Sequence, residues 1–269
     1  MARQEKMLSS SDYSQSLLSN LKKEQISSIT DEPEKISTDS LSQHKKKPQK
    51  PIIFCEHCLD NQSFLQNTLI AIENSWHISL PTSGPLTNGH IWLIPNEHIV
   101  AITDIDDDEY EELINVKEKI VSFFKESYGK ETIFAEIVRN IQECKHVIIE
   151  CIPVNEEMNE SCYGTVMQEL NTADDEWTDN KKIILTRDQG IHGAVPPNFP
   201  YVFFDFSLKK GIAHVIENPR RFKNDFVINV LAENLGIELL YVRRKTSLSS
   251  IQLIRSEIEK KWIKFSLPS

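Results

Sequence analysis

Two cysteines separated by two residues, Cys55 and Cys58, are the first side chains in the sequence whose types and spacing could do chemistry. Two thiolates on a tight turn can bind one metal ion at about 2.3 Å each, leaving two positions of a tetrahedral zinc site for other ligands. The same spacing occurs in redox motifs. However, Leu59, Asp60 and Asn61 do not begin the amphipathic helix that a redox motif requires. The pair therefore favours a metal site.

Histidines are the expected source of the remaining ligands, and spacing does not select among them. His44 lies in a polar N-terminal segment, and His57 stands between the cysteines. His98 follows a predicted strand that ends at Pro95, and His146 begins another predicted strand. A histidine on the surface or in the core is more common than a metal ligand. Spacing alone therefore leaves all four histidines as candidate metal ligands.

The cysteine count and the apolar pattern bear on the compartment. Five cysteines is an odd number, which favours metal binding or free thiols over a disulfide framework. The polar N-terminus lacks a hydrophobic signal segment, and no apolar run approaches the ~20 residues of a membrane span. We therefore expect a cytosolic or nuclear protein that does not enter a membrane.

Charge is unevenly distributed along the chain, whose formal net charge is −10. Residues 51–198 carry a net charge of −17, whereas residues 199–269 carry +5. The simpler explanation is that two differently charged surfaces are solvated. The alternative is that the basic C-terminal part faces an anionic partner such as RNA.

The elements that must position these residues begin after a polar segment. Residues 1–50 contain eleven serines and end in a lysine-rich run, so they are predicted to be mostly disordered, with a possible short helix at 17–29. Order is predicted to begin near Pro51. Alternating and apolar runs predict strands at 68–73, 76–80, 90–95, 132–138 and 146–154. Asp106 and Glu109 form a capping signal for one long helix that ends at Gly129.

The C-terminal part has its own set of predicted elements. Helices are predicted at 166–182, at 226–235 with a cap at Gly236, and at 251–265. Strands are predicted at 201–206, 211–217 and 239–243. Strands that bracket one long helix, followed by a smaller mixed region, indicate an α+β fold.

Two strings of sequence combine histidines with alternating apolar residues and a proline. The first is Gly89-His90-Ile91-Trp92-Leu93-Ile94-Pro95-Asn96-Glu97-His98, and the second is His146-Val147-Ile148-Ile149-Glu150-Cys151-Ile152-Pro153. With the cysteine pair upstream, their order resembles the zinc-containing branch of the histidine-triad superfamily. The resemblance implies a histidine-triad-like antiparallel sheet with a long helix and a structural zinc. It assigns the zinc ligands to Cys55, Cys58, His98 and His146.

Further motifs follow in order along the chain: Asp174-Asp175-Glu176-Trp177, Phe199-Pro200-Tyr201 and Gly211-x-Ala213-His214-Val215-Ile216-Glu217. With these motifs, the chain more closely resembles the CwfJ family of spliceosome-associated proteins, which have paired C-terminal domains, and the motifs match the second of these domains. The resemblance implies residues 51–160 as the histidine-triad-like zinc domain and 161–269 as a smaller α+β domain. Departures from the family pattern at Val227 and Asn229, and a tryptophan missing near Arg244 and Lys245, put the partner surface of the second domain in doubt.

The resemblance also implies that the chain is not an enzyme. The histidine that acts as nucleophile in active histidine-triad hydrolases is replaced by Ile148, which has no lone pair for covalent catalysis. Glu150 would place a carboxylate where a substrate phosphate should bind. We therefore predict no catalytic residues and no cofactor-binding residues beyond the structural zinc. A general-base role for Glu150 is an alternative, but a carboxylate that hydrogen-bonds its neighbours is the simpler one.

The predicted function is that of a nuclear scaffold in pre-mRNA splicing. The CwfJ resemblance implies spliceosomal protein partners, late or post-catalytic complexes that hold the intron lariat, and the lariat-debranching machinery. Two alternatives stay open: a residual histidine-triad nucleotide hydrolase, and direct RNA binding through the basic C-terminal part. The residues predicted for RNA contact are Arg220, Arg221, Lys223, Arg243, Arg244 and Lys245.

Overall fold

The computed structural model describes residues 55–59, 67–172, 183–186 and 190–267. The segment predicted to be disordered, the helix predicted at 17–29 and the start of order near Pro51 lie outside these residues. Among the described residues, no helix has both the length and the apolar character that crossing a bilayer requires.

In the part of the chain that the structure describes, eight strands form one sheet in which every pair is antiparallel. The sheet order is β1-β2-β3-β5-β4-β7-β8-β6. The strands are β1 (Leu69–Glu73), β2 (Trp76–Ser79), β3 (Ile91–Pro95), β4 (Glu131–Val138), β5 (Ile149–Val154), β6 (Ile184–Thr186), β7 (Tyr201–Phe206) and β8 (Lys210–Val215). The α+β class with an antiparallel sheet is therefore confirmed.

Five α-helices accompany the sheet in the described residues. They are α1 (Asp107–Tyr128), α2 (Glu156–Thr172), α3 (Phe226–Asn234), α4 (Leu239–Val242) and α5 (Leu248–Ser266). Buried side chains of α1 and α5 share one core with one face of the sheet. Buried side chains of α2 and α3 share a second core with the opposite face. The sheet is therefore covered by helices on both faces.

The long helix α1 begins and ends as its sequence predicts. The Asp106 carboxylate accepts the Glu109 N–H at 2.8 Å, and Glu109 Oε2 accepts the Asp106 N–H at 3.3 Å, which completes a capping box. Gly129 has a φ of 63°, the left-handed conformation that glycine adopts without a Cβ clash, and its N–H donates to the helix end. Leu113 and Phe124, on the apolar face of α1, are buried.

The central strand β4 connects the two predicted domains. It pairs with β5 from Glu131↔Val154 to Ala135↔Glu150, and with β7 from Ile133↔Phe206 to Val138↔Tyr201. The predicted boundary between residues 160 and 161 falls within α2. Residues 54–269 form one compact unit by their contacts. The division into two domains stays a prediction.

Two predicted elements have different limits in the structure, and one observed strand was not predicted. The strand predicted to begin at His146 begins at Ile149, because His146 belongs to the segment that approaches the cysteine pair. The helix predicted at 166–182 begins at Glu156 and is described as far as Thr172. The strand β6, which has three residues, was not predicted.

The predicted strand at 239–243 is wrong, because Leu239–Val242 is a single helical turn. A short apolar run does not by itself distinguish a strand from a helical segment. Here Val242 is buried in the second core while Leu240 is 82% exposed. The backbone carbonyl of Val242 accepts the N–H of Gly84, so the segment is held against a loop and not against a sheet edge.

Candidate metal centre and the adjoining cleft

Four side chains from three separate parts of the chain converge beside strand β3. Their ligand atoms, contributed by Cys55, Cys58, His98 and His146, all lie within 4.8 Å of one another. Cys55 Sγ is 3.5 Å from His146 Nδ1, Cys58 Sγ is 3.3 Å from His98 Nδ1, and Cys58 Sγ is 3.6 Å from His146 Nδ1. The structure therefore brings together the four residues that the family resemblance selects as metal ligands.

The distances within this cluster fit a tetrahedral zinc site. With Zn–S near 2.3 Å and Zn–N near 2.05 Å, an ideal tetrahedral angle separates sulfur from nitrogen by about 3.6 Å. The three sulfur–nitrogen distances of 3.3, 3.5 and 3.6 Å lie close to that value. Two thiols and two imidazoles are also the ligand types that zinc prefers over harder cations such as magnesium. The residues present therefore fit a zinc ion with four protein ligands.

The second nitrogen of each histidine ring in the cluster is bonded away from it. His98 Nε2 donates to the carbonyl oxygen of Cys144 at 3.0 Å, and His146 Nε2 donates to that of Pro95 at 3.0 Å. These bonds leave both Nδ1 atoms with a lone pair directed at the thiols, which is the arrangement that metal-bound histidines usually show. Burial lowers the pKa of His146 to about 3, with the nearby His98 and His77 contributing. The ring is therefore neutral near pH 7, as a ligand must be.

Strand β3 and two short segments position the ligands. Cys55 and Cys58 lie in a turn in which the N–H of His57 donates to Cys55 Sγ at 3.4 Å. His98 follows the end of β3, and His146 precedes β5, the neighbour of β3 in the sheet. The N–H of Val147 donates to the carbonyl of Ile99 at 2.8 Å, which holds the two histidine segments together.

The other candidate histidines occupy different positions. His57 packs edge-on against Trp92, with 5.6 Å between the ring centroids, and burial lowers its pKa. His77, which the sequence did not single out, is fully buried in β2, and its Nδ1 donates to Asn96 Oδ1 at 3.1 Å. Burial lowers the pKa of His77 to about 4. His44 lies outside the described residues.

A cleft of about 350 Å³ adjoins His146 on the α3 side of the sheet. It lies where β4 and the segment before β5 are no longer paired, since the β4–β5 ladder ends at Ala135↔Glu150. Ile148 and Glu150 line it together with apolar side chains of α3, including Val227. Ile148, which the family resemblance predicts to replace a nucleophile, is therefore part of the aliphatic wall of this cleft.

The Glu150 carboxylate is held by two donors. Trp92 Nε1 donates to Glu150 Oε2 at 2.6 Å, and His90 Nε2 donates to the same oxygen at 2.7 Å. The tautomer of His90 follows from its environment, because its Nδ1 accepts the N–H of Leu86 at 3.1 Å. Glu150 thus hydrogen-bonds its neighbours, as the simpler of the two predictions for it states.

The six basic residues predicted for RNA contact are exposed at the end of β8 and around α3 and α4. Arg243 donates to the carboxylate of Asp225 and to Asn229 Oδ1, which brings the loop before α3 close to the end of α4. Of the two departures from the family pattern, Val227 is buried and Asn229 is this partner of Arg243. Both are therefore accommodated within the packing of α3.

Sequence reasoning missed several polar residues near the cleft and beneath the sheet. Arg139 lines the cleft and donates to the carbonyl of Pro219 at 2.7 Å. Lys117 of α1 is buried and forms an ion pair with Asp205 of β7. The available signal for this pair is that Lys117 lies at helical spacing between two buried apolar residues of α1, Leu113 and Ile120. Nothing in the local pattern identified its partner.

Comparison with known families gives two matches in order along the chain. Residues 42–165 match a family model described as "Protein similar to CwfJ C-terminal", and residues 176–266 match one described as "Protein similar to CwfJ C-terminus 2". The two matches together include the cysteine pair, both histidines of the cluster and the basic C-terminal residues.

Similar proteins come from animals and fission yeast. CWF19-like protein 2 of Danio rerio is 32% identical over 184 residues, which cover 68% of this chain and 19% of that protein. The CWF19-like protein 2 homolog of Caenorhabditis elegans is 28% identical and is matched over 83% of this chain and 48% of its own length. Pre-mRNA-splicing factor cwf19 of Schizosaccharomyces pombe is 28% identical, over 75% of this chain and 33% of its own length. The chain thus spans from about a fifth to about half of these relatives.

One solved structure that resembles the chain is the crystal structure of a Zn-bound histidine triad family protein from Mycobacterium smegmatis. The TM-score is 0.32 and the sequence identity is 19%, and the match covers 38% of this chain and 76% of that one.

Proposed function

Because the chain belongs to the CwfJ family, we propose that it acts in pre-mRNA splicing as a non-catalytic scaffold of the spliceosome in the nucleus. The observation that carries this proposal is the ordered match to both CwfJ C-terminal models over most of the chain. The printed name of the fission yeast relative, a pre-mRNA-splicing factor, supports it. The fold family of the N-terminal half is proposed to be histidine-triad-like.

The stage of action proposed is late in splicing. As the CwfJ resemblance implies, the chain would bind spliceosomal proteins in post-catalytic complexes that hold the excised intron lariat. It would act there with the lariat-debranching machinery. A scaffold of this kind binds its partners and holds them in place, and it catalyses no reaction itself.

The absence of a nucleophile supports a non-catalytic role. Covalent transfer of a nucleotidyl group needs a lone pair at the attacking atom, and Ile148 has none. The Glu150 carboxylate accepts hydrogen bonds from His90 and Trp92 and is positioned by them at the cleft. A fixed anion at this point repels a phosphate, which opposes binding of a nucleotide substrate in the pose of active relatives.

Zinc is proposed as the structural cofactor, held by Cys55, Cys58, His98 and His146. A bound zinc ion would crosslink three chain segments and would have no open position for activating water, because four protein ligands complete its tetrahedron. The carbonyls of Pro95 and Cys144 orient the two imidazoles. The turn at Cys55–Cys58 would be tied by this centre to the strands beside it.

The experiment that tests the scaffold role uses a splicing-competent nuclear extract depleted of the endogenous protein. We expect depletion to cause accumulation of excised intron lariat, and the full chain to restore lariat turnover. Glu150→Gln should restore it equally, since a scaffold does not need the carboxylate for chemistry. Normal lariat turnover without the protein would contradict the proposed role, and failure of Glu150→Gln despite wild-type stability would contradict its non-catalytic character.

A residual nucleotide hydrolase is a second candidate, favoured by the cleft beside Ile148 and Glu150. Its test is release of AMP from an adenylate linked through a diphosphate or to an amino acid. We expect no turnover above the uncatalysed rate. Turnover that Glu150→Ala abolishes would establish the enzyme and overturn the scaffold proposal.

Direct RNA binding through Arg220, Arg221, Lys223, Arg243, Arg244 and Lys245 is a third candidate, as an alternative to a scaffold that binds proteins alone. The bond between Arg243 and Asp225 favours it, because it brings the loop at 220–225 close to the end of α4. Each phosphate contact releases counterions, so binding to single-stranded RNA should weaken steeply as salt rises. Binding that is insensitive to salt, or unchanged when these six residues are replaced by glutamine, would exclude it.

A further inference from the structure

The segment around α4 exposes a group of large apolar side chains beside two cations. Leu240 is 82% exposed, Tyr241 is 55% exposed, and Leu248 at the start of α5 is 63% exposed. Arg244 and Lys245 lie between them in sequence and are also exposed. We call these five residues the α4 surface. Single exposed leucines are ordinary, but three large apolar side chains within nine residues of chain indicate a binding surface.

The backbone beneath the α4 surface is held firmly. The N–H of Gly84 donates to the carbonyls of Val242 and Arg244, both at 3.1 Å, and the N–H of Thr246 donates to that of Thr82 at 3.3 Å. Gly84 is packed so closely that an added Cβ would lie 2.5 Å from the carbonyl oxygen of Tyr241. A surface whose backbone is fixed before binding loses less conformational entropy when a partner docks.

The charges of the α4 surface select the kind of partner. Within the described residues, the side chains of Arg244 and Lys245 form no ion pair, whereas the preceding Arg243 is paired with Asp225. The only carboxylate between residues 238 and 248 is that of Glu238. The segment therefore exposes apolar side chains next to two cations that form no described ion pair, and a partner that carries carboxylates would be electrostatically complementary.

The apolar residues favour a protein over a nucleic acid as the partner. Bases stack on aromatic rings and phosphates pair with Arg and Lys, so Tyr241, Arg244 and Lys245 alone would suit RNA. Leu240 and Leu248 offer neither a ring nor a hydrogen-bond donor, and they gain by burial against other apolar side chains. We propose that the α4 surface is a docking site for an acidic segment of a partner protein that presents apolar side chains between its carboxylates.

This inference does not rest on the proposed splicing role, because a partner of this chemistry could belong to any complex. The test uses the full chain and three fluorescent probes: a short synthetic amphipathic helix of leucine and glutamate, the same peptide with lysine for glutamate, and a short single-stranded polyuridine RNA. Binding is measured by fluorescence anisotropy at physiological salt. We expect the acidic peptide to bind at least ~10-fold more tightly than the lysine peptide, since Arg244 and Lys245 are positively charged.

Substitutions then locate the site. The double variant Leu240→Ser with Tyr241→Ser should weaken binding of the acidic peptide by ~10-fold or more, as loss of central apolar contacts does. Arg244→Gln with Lys245→Gln should weaken it by ~3-fold or more and flatten its salt dependence. The matched control is Leu253→Ser, because Leu253 is 75% exposed on α5 but lies outside the surface. Circular dichroism and thermal melting confirm that each variant is folded.

Several outcomes would overturn the proposal. Equal binding of the acidic and lysine peptides would show that the positive charge does not select the partner. If Leu253→Ser reduces binding as much as the double variant does, the α4 surface is not the binding site. Binding of the RNA alone, lost in the variant at Leu240 and Tyr241, would assign the surface to RNA. Concentration-dependent dimerisation in sedimentation velocity that the same variant abolishes would assign it to a second copy of the chain.

Discussion

Each imidazole of the Cys55–Cys58 cluster has one nitrogen engaged by a backbone carbonyl and the other directed at a thiol. This pairing is set by Pro95 and Cys144, whose side chains do no chemistry at the site. A cysteine pair alone is ambiguous between metal and redox roles. The two imidazoles beside the thiols favour the metal role, because each directs an Nδ1 atom at the point where a metal ion would need a ligand.

The first prediction at this scale concerns the metal. The purified chain should contain about one zinc ion, and Cys55→Ser and His146→Ala should each lose most of it and melt at a lower temperature, since each removes a ligand. Cys144→Ser is the matched control, because its thiol is exposed while its carbonyl still holds His98. Metal content is measured by mass spectrometry and stability by thermal melting with and without chelator. Full zinc occupancy in Cys55→Ser would contradict the ligand assignment.

A second prediction concerns the buried carboxyl of Glu136 in β4. Burial raises its pKa to about 7, although Lys117 and a hydrogen bond from Tyr201 oppose that shift. Because the folded-state pKa lies above the unfolded value, its contribution to stability is complete below pH 4.5 and is lost as pH rises towards 7. We compare the free energy of unfolding of Glu136→Gln with that of the unchanged chain at each pH. The substitution should stabilise the chain by on the order of 1–3 kcal/mol more at pH 8 than at pH 5.

The matched comparison for Glu136 is Glu131, at the start of the same strand. Hydrogen bonds from Ser207 and Lys125 lower its pKa to about 2, so its contribution is present above pH 4.5 and lost as pH falls towards 2. Glu131→Gln should accordingly destabilise the chain at pH 8. Urea denaturation at pH 5 and pH 8 measures both variants. The same sign of effect for both at pH 8 would contradict the assignment.

At the scale of elements, α1 is the helix whose ends depend least on the rest of the fold. Its N-terminal capping box and its C-terminal glycine satisfy backbone groups that a helix otherwise leaves without partners. Strands are less autonomous, because their pairing depends on distant neighbours. The segment Leu239–Val242 illustrates this difference. Its apolar run predicts a strand, but it is a helical turn that places Val242 in the second core.

A further prediction concerns the N-terminal cap of α1. Asp106→Ala should lower the free energy of unfolding by about 1 kcal/mol, because it removes the acceptor of the Glu109 N–H. Asp108→Ala, at an exposed position in the first turn, should change it by less than about 0.5 kcal/mol. Chemical denaturation of both variants gives the comparison. Equal effects would mean that charge near the helix N-terminus matters and the specific cap does not.

For the whole molecule, β4 is the strand on which both predicted domains depend. Its two neighbours come from opposite sides of the predicted boundary, and Trp262 of α5 donates to Glu73 Oε1 of β1 at 3.2 Å. The last described helix therefore packs on the first described strand. Removing either half would expose a strand edge and an apolar face.

This connectivity predicts cooperative unfolding. Tryptophan fluorescence reports on Trp76 and Trp92 in the first part and on Trp177 and Trp262 in the last. Far-UV circular dichroism reports on helices throughout. The two signals should follow one coincident transition in urea, because the shared sheet couples both halves. Two separated transitions would instead support residues 51–160 and 161–269 as independent domains.

The sequence by itself determined the features that depend on a few adjacent residues, which are the limits of α1 and the positions of most strands. The cysteine pair predicts a metal site, and the family resemblance predicts that Ile148 replaces a nucleophile. Family resemblance then selected the histidines. Only the tertiary structure decided that Cys55 and His146, 91 positions apart, meet at 3.5 Å, and that Lys117 finds Asp205 in the core. Local patterns reflect backbone preference and side-chain periodicity, whereas such contacts depend on strand order and packing, which no short stretch of sequence encodes.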